Sequence, residues 1–258
     1  MVRLHQLYPF TIGANVLNDY FDYDTDKINR PDRSIVKGDI TREQALYLSL
    51  ISFIIGIYFS LRLSSDSQII SLGISLPLLF LYNVKIKNYP LIGNIIVSII
   101  IGLSFIYAGV VFENVKPLIV PSLLAFGLTL IREVVKDIAD FKGDEAIGAR
   151  TLPIVFGKQK AIYFCTILSI LLSMAAFTFF LNGYYNFYYG VLLIITVEIP
   201  LGVVVISLLN KPHIETAKKA AKLLKFCTLG GLFSIYIGTC LLYTSDAADE
   251  GLGVDLGG

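Results

Sequence analysis

Long apolar stretches alternate with short polar ones along almost the whole chain. Residues 44–63, 68–83, 91–112, 117–135, 160–182, 187–209 and 222–243 are each mostly apolar. A helix needs about 20 such residues to cross a bilayer, so the pattern predicts a spanning helix at each. The 68–83 run is the shortest. Residues 1–17 are apolar but too short for an independent span, and they read as the inner end of one. The expectation is an all-α, multi-pass transmembrane helix bundle of about eight spans. No signal-peptide layout of basic start, short apolar core and small-residue cleavage site opens the chain.

The polar connections between the runs carry an orientation. The first, 18–43, holds Lys27, Arg30, Arg33, Lys37 and Arg42, and the third, 84–90, holds Lys85 and Lys87. The fifth, 136–160, holds five more basic residues, and the seventh, 210–221, holds Lys211, Lys218 and Lys219. The even connections contribute Lys116 alone. Each span reverses the side of the membrane, so the odd connections share one face. Their basic excess assigns that face to the cytoplasm. From Tyr243 the composition changes: residues 244–258 carry four acids, four glycines and no basic residue. They read as a disordered or foreign acidic tail outside a membrane domain at 1–243.

Composition agrees with the membrane reading. The chain of 258 residues is 55% apolar and only 16% charged, with a mean hydropathy of +0.71. Soluble domains carry about 25% charged residues, so disorder, a coiled coil and an ordinary cytosolic globule are excluded. A net charge of +1 leaves no electrostatic footprint for nucleic acid. Fifteen tyrosines and 17 phenylalanines suit membrane interfaces. Cys165, Cys227 and Cys240 lie in apolar runs and read as reduced packing residues. His5 and His213 are isolated and form no metal site. No obligate protein partner is evident.

Candidate chemistry lies in two acidic constellations. In the first, Asn18, Asp22 and Asp26 recur at i, i+4, i+8, with Asp19 on a neighbouring stripe. In the second, Asp137, Asp140 and Asp144 recur at i, i+3, i+7. Such spacing sets side chains about 5–6 Å apart on one helix face. Both clusters fall at the same end of their spans. Stacked carboxylates repel, and carboxylates near hydrocarbon are costly. Salt bridges with neighbouring Lys and Arg would neutralise them, as would full solvation. Divalent metal is the sharper reading: hard oxygen ligands suit Mg²⁺, which typically joins one or two carboxylates to a substrate phosphate. Arg30, Arg33, Arg132, Lys136, Lys85 and Lys87, interleaved with these acids, fit a phosphorylated ligand. No Gly-rich phosphate loop, H-E-x-x-H or G-x-S-x-G pattern occurs. A divalent-cation transporter is the rival class, since intramembrane acids also mark ion pathways. Its one strong supporting residue is Glu198, beside Ile199-Pro200 within a span.

At these residues the chain resembles the UbiA-type intramembrane prenyltransferases. The resemblance is carried by Asn18-Asp19-x-x-Asp22-x-x-x-Asp26 with Asn29-Arg30-Pro31-x-Arg33, and by Lys136-Asp137-x-x-Asp140-x-x-x-Asp144 running on to Thr151-Leu152-Pro153. Tyr82 and Lys87, with Asn94 just after, resemble a third family segment, and the likeness covers about residues 8–243. It implies nine helices, a cavity opening to the cytoplasm and sideways to lipid, and Mg²⁺-dependent attack of an acceptor on an allylic diphosphate. Metal ligation falls to Asn18, Asp19, Asp22, Asp26, Asp137, Asp140 and Asp144. Catalysis falls to Asp22, Asp26, Asp140, Asp144 and Lys87. Diphosphate binding falls to Arg30, Arg33, Lys87, Arg132, Lys136 and Tyr82. The motifs are most similar to the archaeal ether-lipid branch, which implies an isoprenyl diphosphate donor and a lipid-like glyceryl phosphate acceptor, with an aromatic acceptor as the alternative. Three features depart from the family: its first helix is missing and its second curtailed at Met1, Ser34 replaces the second proline of Arg-Pro-x-Arg-Pro, and the acidic tail has no counterpart.

Overall fold

In the computed structural model, residues 7–87 and 89–252 are described, the side chains of Leu7 and 240–252 excepted. Every regular element among them is helical. The chain opens with α1 (Leu7–Phe21), α2 (Tyr23–Asn29) and α3 (Ser34–Lys37), and then forms α4 (Arg42–Ser60). Next, α5 (Ser65–Gln68) runs through a π-helical stretch, Ile69–Ser75, into α6 (Leu76–Leu81), which ends in a second π-helix at Tyr82–Ile86. Two long helices follow, α7 (Ile92–Val111) and α8 (Ile119–Ala139). Short α9 (Phe141–Ala146) and α10 (Leu152–Phe156) lead to α11 (Lys158–Leu181). The remainder is α12 (Phe187–Leu193), a π-helix at Ile194–Glu198, α13 (Ile199–Asn210) and α14 (Ile214–Leu252).

Among the described residues, seven stretches are long and apolar enough to cross a membrane, and they match the seven predicted runs. Their ends differ from the sequence reading. The 68–83 run lengthens to Ser65–Ile86, and the last begins at Ile214 instead of 222. Polar residues such as Lys218 and Lys222 belong to the first turns of α14, because a helix can continue past the hydrocarbon once its side chains reach water. The helical backbone of α14 runs on to Leu252. Residues 1–6 and 253–258 lie outside the described residues.

Local sequence accounts for the elements. Thr41 caps α4 reciprocally: its hydroxyl accepts the Gln44 N–H at 3.2 Å, and the Gln44 side chain accepts the Thr41 N–H at 3.0 Å. Two π-helices directly precede helices with a proline in the first turn, Pro77 in α6 and Pro200 in α13. A prolyl ring removes one N–H and displaces a carbonyl, and inside a bilayer a widened turn re-satisfies those groups. The interior gathers around α8, which packs against α7, α11 and α14. Ile131, Val134, Val135 and Ile138 of α8 are completely buried. Outward faces carry exposed Ile54, Ile167, Ile170, Met174 and Phe226, a surface that hydrocarbon solvates and water would not. The junctions α1–α2 and α8–α9 meet at one end of this bundle, where α2 packs on α9.

Candidate active site

Both acidic strips are built the same way. At Asp22 the backbone leaves α1 with φ −85° and ψ 1°, and at Asp140 it leaves α8 with φ −92° and ψ 4°. Each lies in the bridge region, where many active-site residues sit. The i→i−4 path nevertheless survives both bends. Asp22 N–H donates to the Asn18 carbonyl and Asp26 N–H to that of Asp22, each at 2.8 Å. Asp140 N–H donates to Lys136 at 2.8 Å and Asp144 N–H to Asp140 at 3.1 Å. The helical spacing read from sequence therefore holds through each kink.

The strips face one another across a polar cavity. Asp22, Asp26 and Arg30 line one side, and Lys136, Asp137, Asp140 and Asp144 the other. Tyr82 and Lys87 close it from the α6 end, and Asn94 and Glu133 complete it. Arg30 Nη2 reaches Asp140 Oδ2 at 2.5 Å, and Lys87 Nζ reaches Asp22 Oδ1 at 2.6 Å. Asn18 Nδ2 donates to Asp22 Oδ2 at 2.7 Å, which orients that carboxylate. Asn94 does the same for Asp137, at 2.9 Å. Asn29 ties the strips together: its amide donates to the Asp140 carbonyl at 2.9 Å and accepts the Gly143 N–H at 3.1 Å.

Carboxylates packed this closely resist ionising together. Burial, and next the Asp22 carboxylate, push Asp26 up to about 6. Burial, and next Asp140 and Asp22, push Asp144 up to about 7. Burial also raises Asp140, against the pull of Arg30. Asp26 Oδ2 is buried without a hydrogen bond, with only the Arg33 guanidinium at 3.4 Å. A site with this excess of hard, acidic oxygens has affinity for multivalent cations. Among the described residues, no three acids, histidines or cysteines converge as a ready-made cage. Mg²⁺ keeps several waters and needs only one or two carboxylates besides phosphate oxygens. The donor set fits the ion.

Not every predicted residue faces the cavity. Asp19 lies off the cavity wall and pairs with Arg33, whose guanidinium also reaches Asp26. Arg132 pairs with Glu133 at 2.9 Å, and Lys136 with the other oxygen of Glu133 at 2.8 Å. Sequence reasoning passed over Glu133, Asn29 and Asn94 as site residues. Asn29 stands inside the first motif, Glu133 one helical turn before the second, and Asn94 in the first turn of α7. A polar residue committed to a spanning helix was the available signal for Asn94 and Glu133.

The model of the UbiA prenyltransferase family matches residues 7–229. Digeranylgeranylglyceryl phosphate synthase of Pyrococcus horikoshii is 37% identical over 226 residues, covering 88% of this chain and 79% of the relative. The enzyme of the same name from Saccharolobus solfataricus is 36% identical over 230 residues, covering 88% and 80%. Among solved structures, one of a digeranylgeranylglyceryl phosphate synthase in membranes superposes with a TM-score of 0.71 at 32% identity, covering 92% of this chain and 84% of that one. A UbiA homolog from Archaeoglobus fulgidus bound to GPP and Mg²⁺ shares the fold, with a TM-score of 0.57 at 14% identity, covering 94% and 87%. With the motif spacing preserved through both kinks and the likeness running through nearly all the spans, this multi-pass membrane protein belongs to the UbiA family and is a prenyltransferase.

Proposed function

We propose that the protein transfers a geranylgeranyl group from its diphosphate to a hydroxyl of geranylgeranylglyceryl phosphate, with Mg²⁺, in archaeal ether-lipid synthesis. The observation that carries this reading is the meeting of the strips of Asp22 and Asp140 across one polar cavity, bridged by Asn29 and Arg30. The names of the relatives at 36–37% identity support the acceptor, and the Archaeoglobus fulgidus homolog bound to GPP and Mg²⁺ supports the cofactor and the donor class. The basic odd connections support a site facing the cytoplasm, within a catalytic domain spanning residues 1–243.

Asp22 and Asp26 from one strip, and Asp140 and Asp144 from the other, would hold magnesium, with Asn18 and Asp137 beside them and Asp19 supporting through Arg33. Bound there, magnesium supplies charge neutralisation to the departing diphosphate. Lys87, Arg30 and Lys136 sit where phosphate oxygens would displace their present carboxylate partners. Tyr82 bounds the cavity, and Arg132 and Arg33 act through the acids they pair with. As the carbon–oxygen bond breaks, its electron pair stays on diphosphate and positive charge develops on the allylic carbon. The acceptor hydroxyl oxygen bonds to that carbon, and its proton passes to the released diphosphate. The apolar bundle excludes water that would otherwise capture the cation.

Mass spectrometry of products decides the matter. Purified protein receives geranylgeranyl diphosphate, Mg²⁺ and either geranylgeranylglyceryl phosphate or aromatic acceptors. Formation of the diether phosphate, its loss on chelation, and its loss in Asp22→Ala and Asp140→Ala are the expected results. An aromatic product instead, or metal flux into liposomes without diphosphate release, would overturn the reading.

A further inference from the structure

Two apolar chambers lie deeper in the bundle than the polar cavity, and Ile101 and Ser104 of α7 line both. The larger, about 270 Å³, is walled by Pro121, Leu124, Ala125 and Leu128 of α8, and by α12 and α14. Its one carboxylate, Glu198, accepts a hydrogen bond from Ser173 at 2.5 Å. The smaller, about 220 Å³, adjoins α1 and carries Thr11, Asn15, Ser71 and Ser75. A prenyl donor is unbroken hydrocarbon from its diphosphate onward and suits the first chamber. The acceptor's chain hangs from an oxygenated glycerol and suits the second.

One wall of the larger chamber carries a buried aromatic residue. Tyr189 lines it and is only 1% exposed. Its ring stacks on Tyr185 at 4.3 Å, with Phe180 at 6.1 Å. Gly238 of α14 presses on it from behind: a Cβ there would come within 2.7 Å of the Tyr189 Cβ. A ring held on these sides cannot retreat from a ligand, because packed interiors yield little. Along α8, Lys136 in the polar cavity and Pro121 in the chamber are about 22 Å apart at roughly 1.5 Å of rise per residue. That is about the reach of a four-unit isoprenoid chain.

We infer that Tyr189 is a specificity-determining residue, the stop against which the donor's fourth isoprene unit ends. The inference rests on the proposed prenyl transfer and adds the residue that measures the donor. Prenyl diphosphates of two to five units compete as an equimolar mixture for geranylgeranylglyceryl phosphate, and the ratio of ether products is read by mass spectrometry. This ratio is indifferent to how much of the protein is folded. The natural chain disfavours the five-unit donor against the four-unit donor by more than about tenfold, since one surplus methylene in a tight pocket already costs that much. Tyr189→Ala abolishes the discrimination. Ala125→Phe, which fills the chamber nearer its mouth, moves the preference to two or three units and serves if Tyr189→Ala fails to fold. A natural chain indifferent to the fifth unit, or variants that keep its product ratios, overturns the assignment of Tyr189 while prenyl transfer stands. No transfer from any donor by the natural chain overturns the proposed function instead.

Discussion

Asn29 occupies the space that a side chain at Gly143 would need. Its Oδ1 accepts the Gly143 N–H at 3.1 Å, and a Cβ built on Gly143 would stand 2.3 Å from Asn29 Nδ2. One amide thus fastens α2 to α9 and sets how far apart the acidic strips stand. Gly143→Ala forces the strips apart, with a stability loss of about 1–3 kcal/mol from overpacking and a larger loss of transfer rate. Asn29→Ala removes the obstruction. The double variant is therefore less damaged than the sum of the singles, which a thermal-denaturation and kinetic cycle measures.

Lys87 and Arg30 pair with the acids at the hinge of each strip, Asp22 and Asp140. If they stabilise the charge on departing diphosphate, Lys87→Met lowers kcat by about 10²–10³-fold, the cost of removing one preorganised charge donor. Initial rates over a donor titration check this. A rise in KM at unchanged kcat would mean that Lys87 only helps to bind the ground state.

Protonation couples the site to stability. In chelated protein, Asp26 at about 6 and Asp144 at about 7 stand above the usual carboxylate value of 3.8. Between pH 4 and 7 the folded chain holds more protons than the unfolded one, so these two groups contribute stability at low pH that is lost as pH rises through 7. Comparing Asp144→Asn with the natural chain isolates the effect: the natural chain loses more Tm over that window. If Mg²⁺ binds the ionised carboxylates as proposed, adding it opposes the loss, and its affinity falls as pH drops below 7.

Glu133 is buried and pairs with both Arg132 and Lys136. Glu133→Gln leaves two cations with a neutral partner, and breaking a buried pair costs about 3–5 kcal/mol. Thermal stability falls, while inorganic diphosphate binds more tightly because Lys136 is released toward the cavity. Isothermal titration with diphosphate reads the second effect, which a purely structural role for Glu133 does not predict.

What the sequence determined by itself is what helix geometry dictates within a few turns. Apolar runs of spanning length located the seven helices that, among the described residues, are long and apolar enough to cross a bilayer, although their polar ends, as at Ile214, were invisible because hydropathy fades where the helix does not. The spacing of Asn18, Asp22 and Asp26, and of Asp137, Asp140 and Asp144, placed each set on one face, and the backbone bonds through both kinks preserve it. The tertiary structure alone decided which groups meet. That Asn29 reaches across 111 residues to the Asp140 carbonyl, and Arg30 across 110 to its carboxylate, depends on how α2 docks against α8 and α9. Periodicity is a property of one helix and is written in neighbouring residues. Pairing between helices follows from packing, where small differences in close approach, such as the missing side chain at Gly143, select one partner among several of the right charge.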